Sequence, residues 1–170
     1  MTQSEYQGLV FPGEFSKNPR LVSFKASFIY HWRQGHHQHF GKDTLFHKPP
    51  EAYPLHLRKV HVDIGLYTNA YGESGTQACW NDWSTGRINQ RGRSKLTPTS
   101  DAYLIYAVTE ERHAALLDFW FPPAHKQAES LSSMDVVIQM AEKFYELKSL
   151  KPMPRDVNPW DQEFRKKKQA

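Results

Sequence analysis

The stretch SKLTPTSDAYLIYAVTEERHAALLDFWFPPAHKQAESLSSMDVVIQMAEKFYE, residues 94–146, decides the fold. It holds Thr99-Ser100-Asp101, an apolar run Ala102–Val108, the charged link Thr109-Glu110-Glu111-Arg112-His113 and a second apolar run Ala114–Phe121. Two strand-length apolar runs joined by a short polar link predict a β-hairpin. Pro122-Pro123-Ala124-His125-Lys126 follows. Then Val137, Ile138, Ala141, Phe144, Tyr145 and Leu147 recur at helical spacing, which predicts an amphipathic helix over about 133–147. Ser132 with Asp135 resembles a capping pair at its start. The pair His125-Lys126 thus falls where a buried strand ends, a position that can hold polar side chains rigidly and still expose them.

Upstream, Leu21, Phe24, Phe28, Ile29 and Trp32 predict a first helix, stopped at Gly35 by a left-handed glycine. Residues 57–66 alternate: Val60, Val62, Ile64 and Leu66 share one face, Lys59, His61, Asp63 and Gly65 the other. We expect a half-buried strand with a polar outer face. Residues 68–98 show no sustained period and read as a long loop or a hairpin with an insertion at 68–93, in which Trp80 and Trp83 are anchor candidates. The division expected is an irregular lead-in over 1–19, one domain over 20–150 and a basic, mobile tail over 151–170. The fold class expected is α+β: a small, mostly antiparallel sheet with an N-terminal helix or helices and a C-terminal helix.

The chain has 170 residues, is 39% hydrophobic and 14% aromatic, and carries a net charge of +4, enough apolar content for one core and a mild basic bias compatible with nucleic acid. A single cysteine, Cys79, excludes an internal disulfide and suits a reducing, cytoplasmic setting. Neither a signal peptide nor a membrane partner is expected, since the apolar runs are only strand-length. No Gly-rich phosphate loop of the P-loop or Rossmann kind is present. His31, His36, His37 and His39 are spaced too compactly for a zinc site, so no metal and no cofactor are expected. Cys79 reads as an inert thiol.

Several separated pieces, in order, carry a family resemblance. They are Phe28-Ile29 with Arg33-x-Gly35, Phe40-Gly41-x-Asp43-x-Leu45, Pro54-Leu55, and Arg58-x-x-His61. After them come Thr99-x-Asp101 before Leu104-x-Tyr106, Leu116-Leu117, Pro123-x-His125-Lys126-x-Ala128, and Ala141-Glu142-x-Phe144. Over about 27–146 the chain resembles the YafO family of toxin–antitoxin mRNA interferases, and its second half is similar to the wider RelE/ParE-like layout. The resemblance implies a small sheet packed by helices, a cognate antitoxin partner, and endoribonucleolytic cleavage of mRNA on translating ribosomes. It supplies no catalytic assignment, so residue roles are argued from chemistry.

Metal-free RNA cleavage needs groups that move protons near neutral pH and cations that stabilise a phosphorane. His125 is the first candidate for acid or base, against the plain alternative of a surface histidine. His61 is the second, oriented by Asp63 on the same strand face, against an exposed strand or an antitoxin contact. Lys126 and Arg58 are candidates for phosphorane or phosphate charge, against a solvated lysine and a structural ion pair. Arg87, Arg91, Arg93 and Lys95, in a glycine-bearing stretch without acidic residues, are candidates for RNA backbone contact, with Arg33 and Lys42 along the same surface. Thr99 and Asp101 read as turn or cap residues, and Trp120 or Tyr103 as core residues or base-stacking platforms. Two other functions fit the same pattern: a non-catalytic inhibitor of ribosome or gyrase, and a protein-interaction module.

Overall fold

The computed structural model describes residues 4–67, 73–85 and 97–167. A five-stranded sheet runs in the order β1-β5-β4-β3-β2. The strands are β1 (Val10–Phe11), β2 (Phe40–Leu45), β3 (Arg58–Val62), β4 (Tyr103–Val108) and β5 (Ala114–Trp120). β1 pairs parallel with β5 and every other neighbour is antiparallel, which is the α+β arrangement read from the sequence. Helix α1 (Val22–Gln34) packs on one face. On the other packs α4 (Leu131–Lys148), preceded by the short α3 (Ala124–Ala128).

β4 is buried at all six positions, because a central strand covered on both faces needs apolar residues on both. Its Leu104, Tyr106 and Val108 join Phe28 and Trp32 of α1 in one core. Its Tyr103, Ile105 and Ala107 join Val137, Ala141 and Tyr145 of α4 in the second. Helix α1 ends as expected: Gly35 sits at φ 84° and its N–H donates to the His31 carbonyl at 2.8 Å. Helix α4 begins two residues earlier than the spacing predicts, with Ser130 rather than Ser132 as the cap. The Ser130 hydroxyl accepts from the Ser133 N–H at 3.4 Å, and Leu147 faces solvent instead of the core.

Three expectations are corrected. Within 68–93, residues 73–85 form a helix, α2 (Glu73–Thr85), rather than a loop. Its tryptophans do anchor it: the Trp80 indole donates to the Thr99 carbonyl at 3.0 Å and that of Trp83 to the Phe40 carbonyl at 2.8 Å. The alternating strand is shorter than 57–66, because Asp63 accepts from the Gly65 N–H and turns the chain. Finally, described residues of both the lead-in and the C-terminal segment belong to the fold. Tyr6 and Phe15 from the lead-in, and Met153 and Phe164 from the supposed mobile tail, are buried in the α1-side core. Scattered aromatics without a period carried that burial, so composition alone hid it.

Arg112 ties these ends together. It stands in the β4–β5 turn at φ 66° with its side chain fully buried. Its Nε donates to the Pro159 carbonyl at 2.6 Å, Nη1 to Gln7 at 2.6 Å and Nη2 to Trp32 at 2.9 Å. The guanidinium lies 4.0 Å from the Trp32 ring centre and 4.7 Å from that of Tyr6. Burial lowers its pKa to about 10, so it stays charged at neutral pH. A planar fork serves three carbonyls of three segments in a way that a lysine cannot. At Gly8 (φ 108°) an added Cβ would stand 2.0 Å from the Arg112 carbonyl oxygen, so the segment approaches too closely for a side chain.

Arg112→Lys is expected to cost about 3 kcal/mol or more of unfolding free energy, since it strands buried acceptors of a charged donor. Urea denaturation measures this. A loss under about 1 kcal/mol would show that the clamp is not a main support.

Candidate functional site

Arg58 and His61 stand three residues apart on β3, and successive residues of a strand point to opposite faces. The register places Arg58 opposite Tyr106 and His61 opposite Tyr103 on β4, so the two candidates lie on different faces of the sheet. Arg58 thus shares the face of Val60 and Val62 while Lys59 and His61 share the other, and β3 is an interior strand rather than a half-exposed one.

His61 is 8% exposed. Its Nδ1 lies 2.7 Å from the carbonyl oxygen of Ser100 and 2.9 Å from the same residue's N–H. A protonated Nδ1 donates to the carbonyl; an unprotonated one accepts from the amide. One backbone residue thus serves either tautomer, and Nε2 is left for proton transfer. The ring sits edge-on to Tyr103, with centres 4.7 Å apart. Lys59, two residues earlier on the same face, places its ammonium 4.7 Å from the Tyr103 ring centre and 5.1 Å from that of Phe46. Burial, followed by the Lys42 charge, lowers the Lys59 pKa. Burial first, and then Lys59 and Lys42, lower His61 to about 4 against the raising effects of Ser100 and Asp101. His61 is therefore a neutral imidazole beside two cations at physiological pH.

The carboxylate near His61 is Asp101, not Asp63. Asp63 accepts from Gly65 and lies 3.9 Å from His39. Asp101 also builds the His125 position. Its carboxylate accepts from the His125 backbone N–H at 2.8 Å and its carbonyl from that of Ala124 at 3.2 Å, which fixes the start of α3. Ser100-Asp101 is thus the link between the two histidines: Ser100 holds the His61 ring and Asp101 holds the His125 backbone. The His125 side chain is exposed, 3.7 Å from Glu129, and Lys126 beside it is also exposed. Asp101, expected to cap or turn the chain into the following strand, instead caps the start of α3. Lys59 lay unassigned on the His61 face, although its alternation with His61 was the signal for it. Trp120 is buried, with its indole N–H donating to Asp118.

On the opposite face Arg58 is buried beside Asp43, whose carboxylate accepts from the Tyr106 hydroxyl. Burial raises Asp43 to about 6, against the lowering effects of Arg58 and Tyr106. Burial, then the Asp43 charge, pushes Tyr106 up as well. Lys42, exposed on β2, belongs electrostatically with Lys59 and His61, whereas Arg33 is exposed on α1. Arg87, Arg91, Arg93 and Lys95 lie outside the described residues.

These shifts set a pH dependence of stability. His31 and His61 are lowered by burial to about 3 and about 4 from the 6.5 of the unfolded chain. Their contribution is fully present above 6.5 and is lost as pH falls through that window. Asp43, raised from 3.8 to about 6, acts oppositely: its contribution is present below 3.8 and lost as pH rises through 6. Two histidines outweigh one carboxylate, so the thermal midpoint should drop between about pH 7 and about pH 5. Scanning calorimetry checks this, and a midpoint that rises over that interval would contradict it.

No curated protein and no solved structure matches the chain. A family model described as toxin YafO, type II toxin–antitoxin system, matches residues 28–146. That span runs from Phe28 of α1 to near the end of α4 and takes in every residue of the His61 cluster and the Asp43–Arg58–Tyr106 group. The chain therefore belongs to the YafO toxin family of type II toxin–antitoxin systems.

Proposed function

We propose that this toxin is a ribosome-dependent, metal-independent endoribonuclease that cuts mRNA and stops translation. The observation that supports it most is His61, held neutral by burial and by the charges of Lys59 and Lys42, with a backbone partner for either tautomer. At neutral pH that imidazole is unprotonated and free to accept a proton, and the adjacent ammonium groups suit a phosphate.

In this mechanism Nε2 of His61 takes the proton from a ribose 2′-OH. The 2′-oxygen attacks the adjacent phosphorus, the bond to the 5′-oxygen breaks, and a 2′,3′-cyclic phosphate forms. Lys59 and Lys42 stabilise the phosphorane, the role that Arg58 does not share because it faces the other side of the sheet. His125, with Lys126 beside it, supplies the proton to the leaving 5′-oxygen. Tyr103, buried at 3% exposure in the α4-side core, is a packing residue rather than a stacking platform. The basic run Arg87, Arg91, Arg93 and Lys95 is proposed to hold the RNA backbone. A ribosome that orients the mRNA would supply much of the positioning. As a family member the toxin has a cognate antitoxin, which we expect to cover this basic surface.

The test is primer extension on a translated reporter mRNA, with and without ribosomes. New 5′ ends that require ribosomes are expected from the wild type. His61→Ala should lower their rate roughly a hundredfold or more, and Lys59→Gln about a hundredfold. Arrested synthesis without new ends would instead support an inhibitor that acts by binding.

His61 should titrate with a midpoint near the value of about 4 that its environment sets. Its base form then persists from about pH 5 upward, and activity should show no acidic limb near the ordinary histidine value. Histidine NMR gives the midpoint directly. A value of 6.5 or higher would remove the argument for a base poised by burial.

A further inference from the structure

A second site lies on the α1 side of the sheet, away from the His61 face. Among the described residues five buried side-chain atoms lack a hydrogen-bond partner: Nδ1 and Nε2 of His31, Oδ1 of Asp43, Nε of Arg58 and Nε1 of Trp160. All four residues line one cavity of about 410 Å³, together with Trp83 and Arg155. His31 and Arg58 are 7% and 6% exposed. Buried polar atoms are normally hydrogen-bonded, so five such atoms around one cavity define a set of donors and acceptors that a ligand can satisfy.

The chemistry of that partner follows from the orphaned atoms. Arg58 and Trp160 offer N–H donors. Asp43 offers an acceptor, its other oxygen being held by Tyr106. Neutral His31 offers one donor and one acceptor. An inorganic anion would use the donors and collide electrostatically with Asp43. An apolar ligand would leave every atom unpaired. A flat heteroaromatic ring with donors on one edge and acceptors on another satisfies both sets. The walls suit such a ring: Trp83 is locked by its bond to the Phe40 carbonyl, and Trp160 packs 5.4 Å from Trp32. Arg155 is fixed by bonds to the Tyr53 and Phe46 carbonyls, both at 3.0 Å, so its side of the cavity is preorganised.

We propose that this cavity binds a guanine base, with Asp43 accepting from its N1–H and 2-amino edge and Arg58 donating to its O6/N7 edge. Guanine alone among the RNA bases pairs two adjacent donors with an acceptor edge suited to arginine. Adenine offers Asp43 a single donor group. The base can come from RNA or from a free nucleotide. The RNA source rests on the ribonuclease reading above, and there the cavity selects a nucleotide remote from the bond that is cut, since it lies on the other side of the sheet.

The test is equilibrium titration of the full chain, followed by tryptophan fluorescence, with GMP, AMP, CMP and UMP. It is repeated with a short oligoribonucleotide carrying one guanosine and with its inosine counterpart, which lacks the 2-amino group. GMP should bind roughly tenfold more tightly than AMP, and guanosine more tightly than inosine in the oligonucleotide. Asp43→Asn keeps an acceptor for Tyr106 but presents an amide to the base, and Trp160→Phe keeps the ring without its N–H. Both should weaken GMP binding several-fold at an unchanged circular dichroism spectrum. GMP binding without oligonucleotide binding upholds the cavity with a free nucleotide as its ligand. Equal affinity for all four nucleotides, no binding at millimolar GMP, or binding indifferent to both variants overturns the proposal. These readouts do not involve cleavage. Guanine binding without new mRNA ends would overturn the nuclease reading alone, and cleavage without guanine binding would overturn this one alone.

Discussion

The buried guanidinium of Arg112 is the constraint around which the α1 side of this protein is assembled. A charge taken out of water must find fixed dipoles, and here the carbonyls of Gln7, Trp32 and Pro159 supply them. These belong to the N-terminal segment, to α1 and to the C-terminal segment. None of the three could drift away without leaving a buried cation partly unsolvated. The same cation stacks over Trp32 and Tyr6, so the polar clamp and the aromatic core are one structure. Trp160, adjacent to the clamped Pro159 carbonyl, is thereby held against His31 and Trp32 and forms a wall of the guanine cavity. The fold's main tether and its second site share a segment.

The alternation of β3 distributes the chemistry. Odd positions Lys59 and His61 face α4 and the Ser100-Asp101 link; even positions Arg58 and Val60 face α1. On the first side burial keeps an imidazole neutral beside the half-buried Lys59 and the exposed Lys42. On the second, burial leaves a carboxylate and a guanidinium side by side with hydrogen-bonding capacity unspent. The strand is central, so neither face can be repacked without disturbing the other. A substitution meant to probe one site therefore needs a control on the opposite face.

Much of this was legible in the chain. Helix α1 and its glycine stop, the β4–β5 hairpin and the inward face of α4 follow from period and punctuation, which are local properties. His61 as a proton-transfer candidate followed from its residue type and its place on an alternating strand. Its carboxylate neighbour did not. Asp63, two residues away, was the natural choice by spacing, but a turn engages its Oδ1 and Asp101, distant in the chain, is the carboxylate near His61. Arg58 was chosen for charge, although the alternation of its strand already set it on the face opposite His61, as the cross-strand register shows.

What the sequence determined by itself is α1, the β4–β5 hairpin and α4, their order, and the YafO character of residues 28–146, because these rest on short-range periodicity and on ordered motifs. Only the tertiary structure decided which side chains meet. The burial of Tyr6, Met153 and Phe164 depends on contacts across the whole chain. So does the gathering of His31, Asp43, Arg58 and Trp160 around one cavity, from α1, two strands and the C-terminal segment. Hydrogen bonds and desolvation act through space, and no local pattern of residues encodes which distant segment will supply the partner or withhold it.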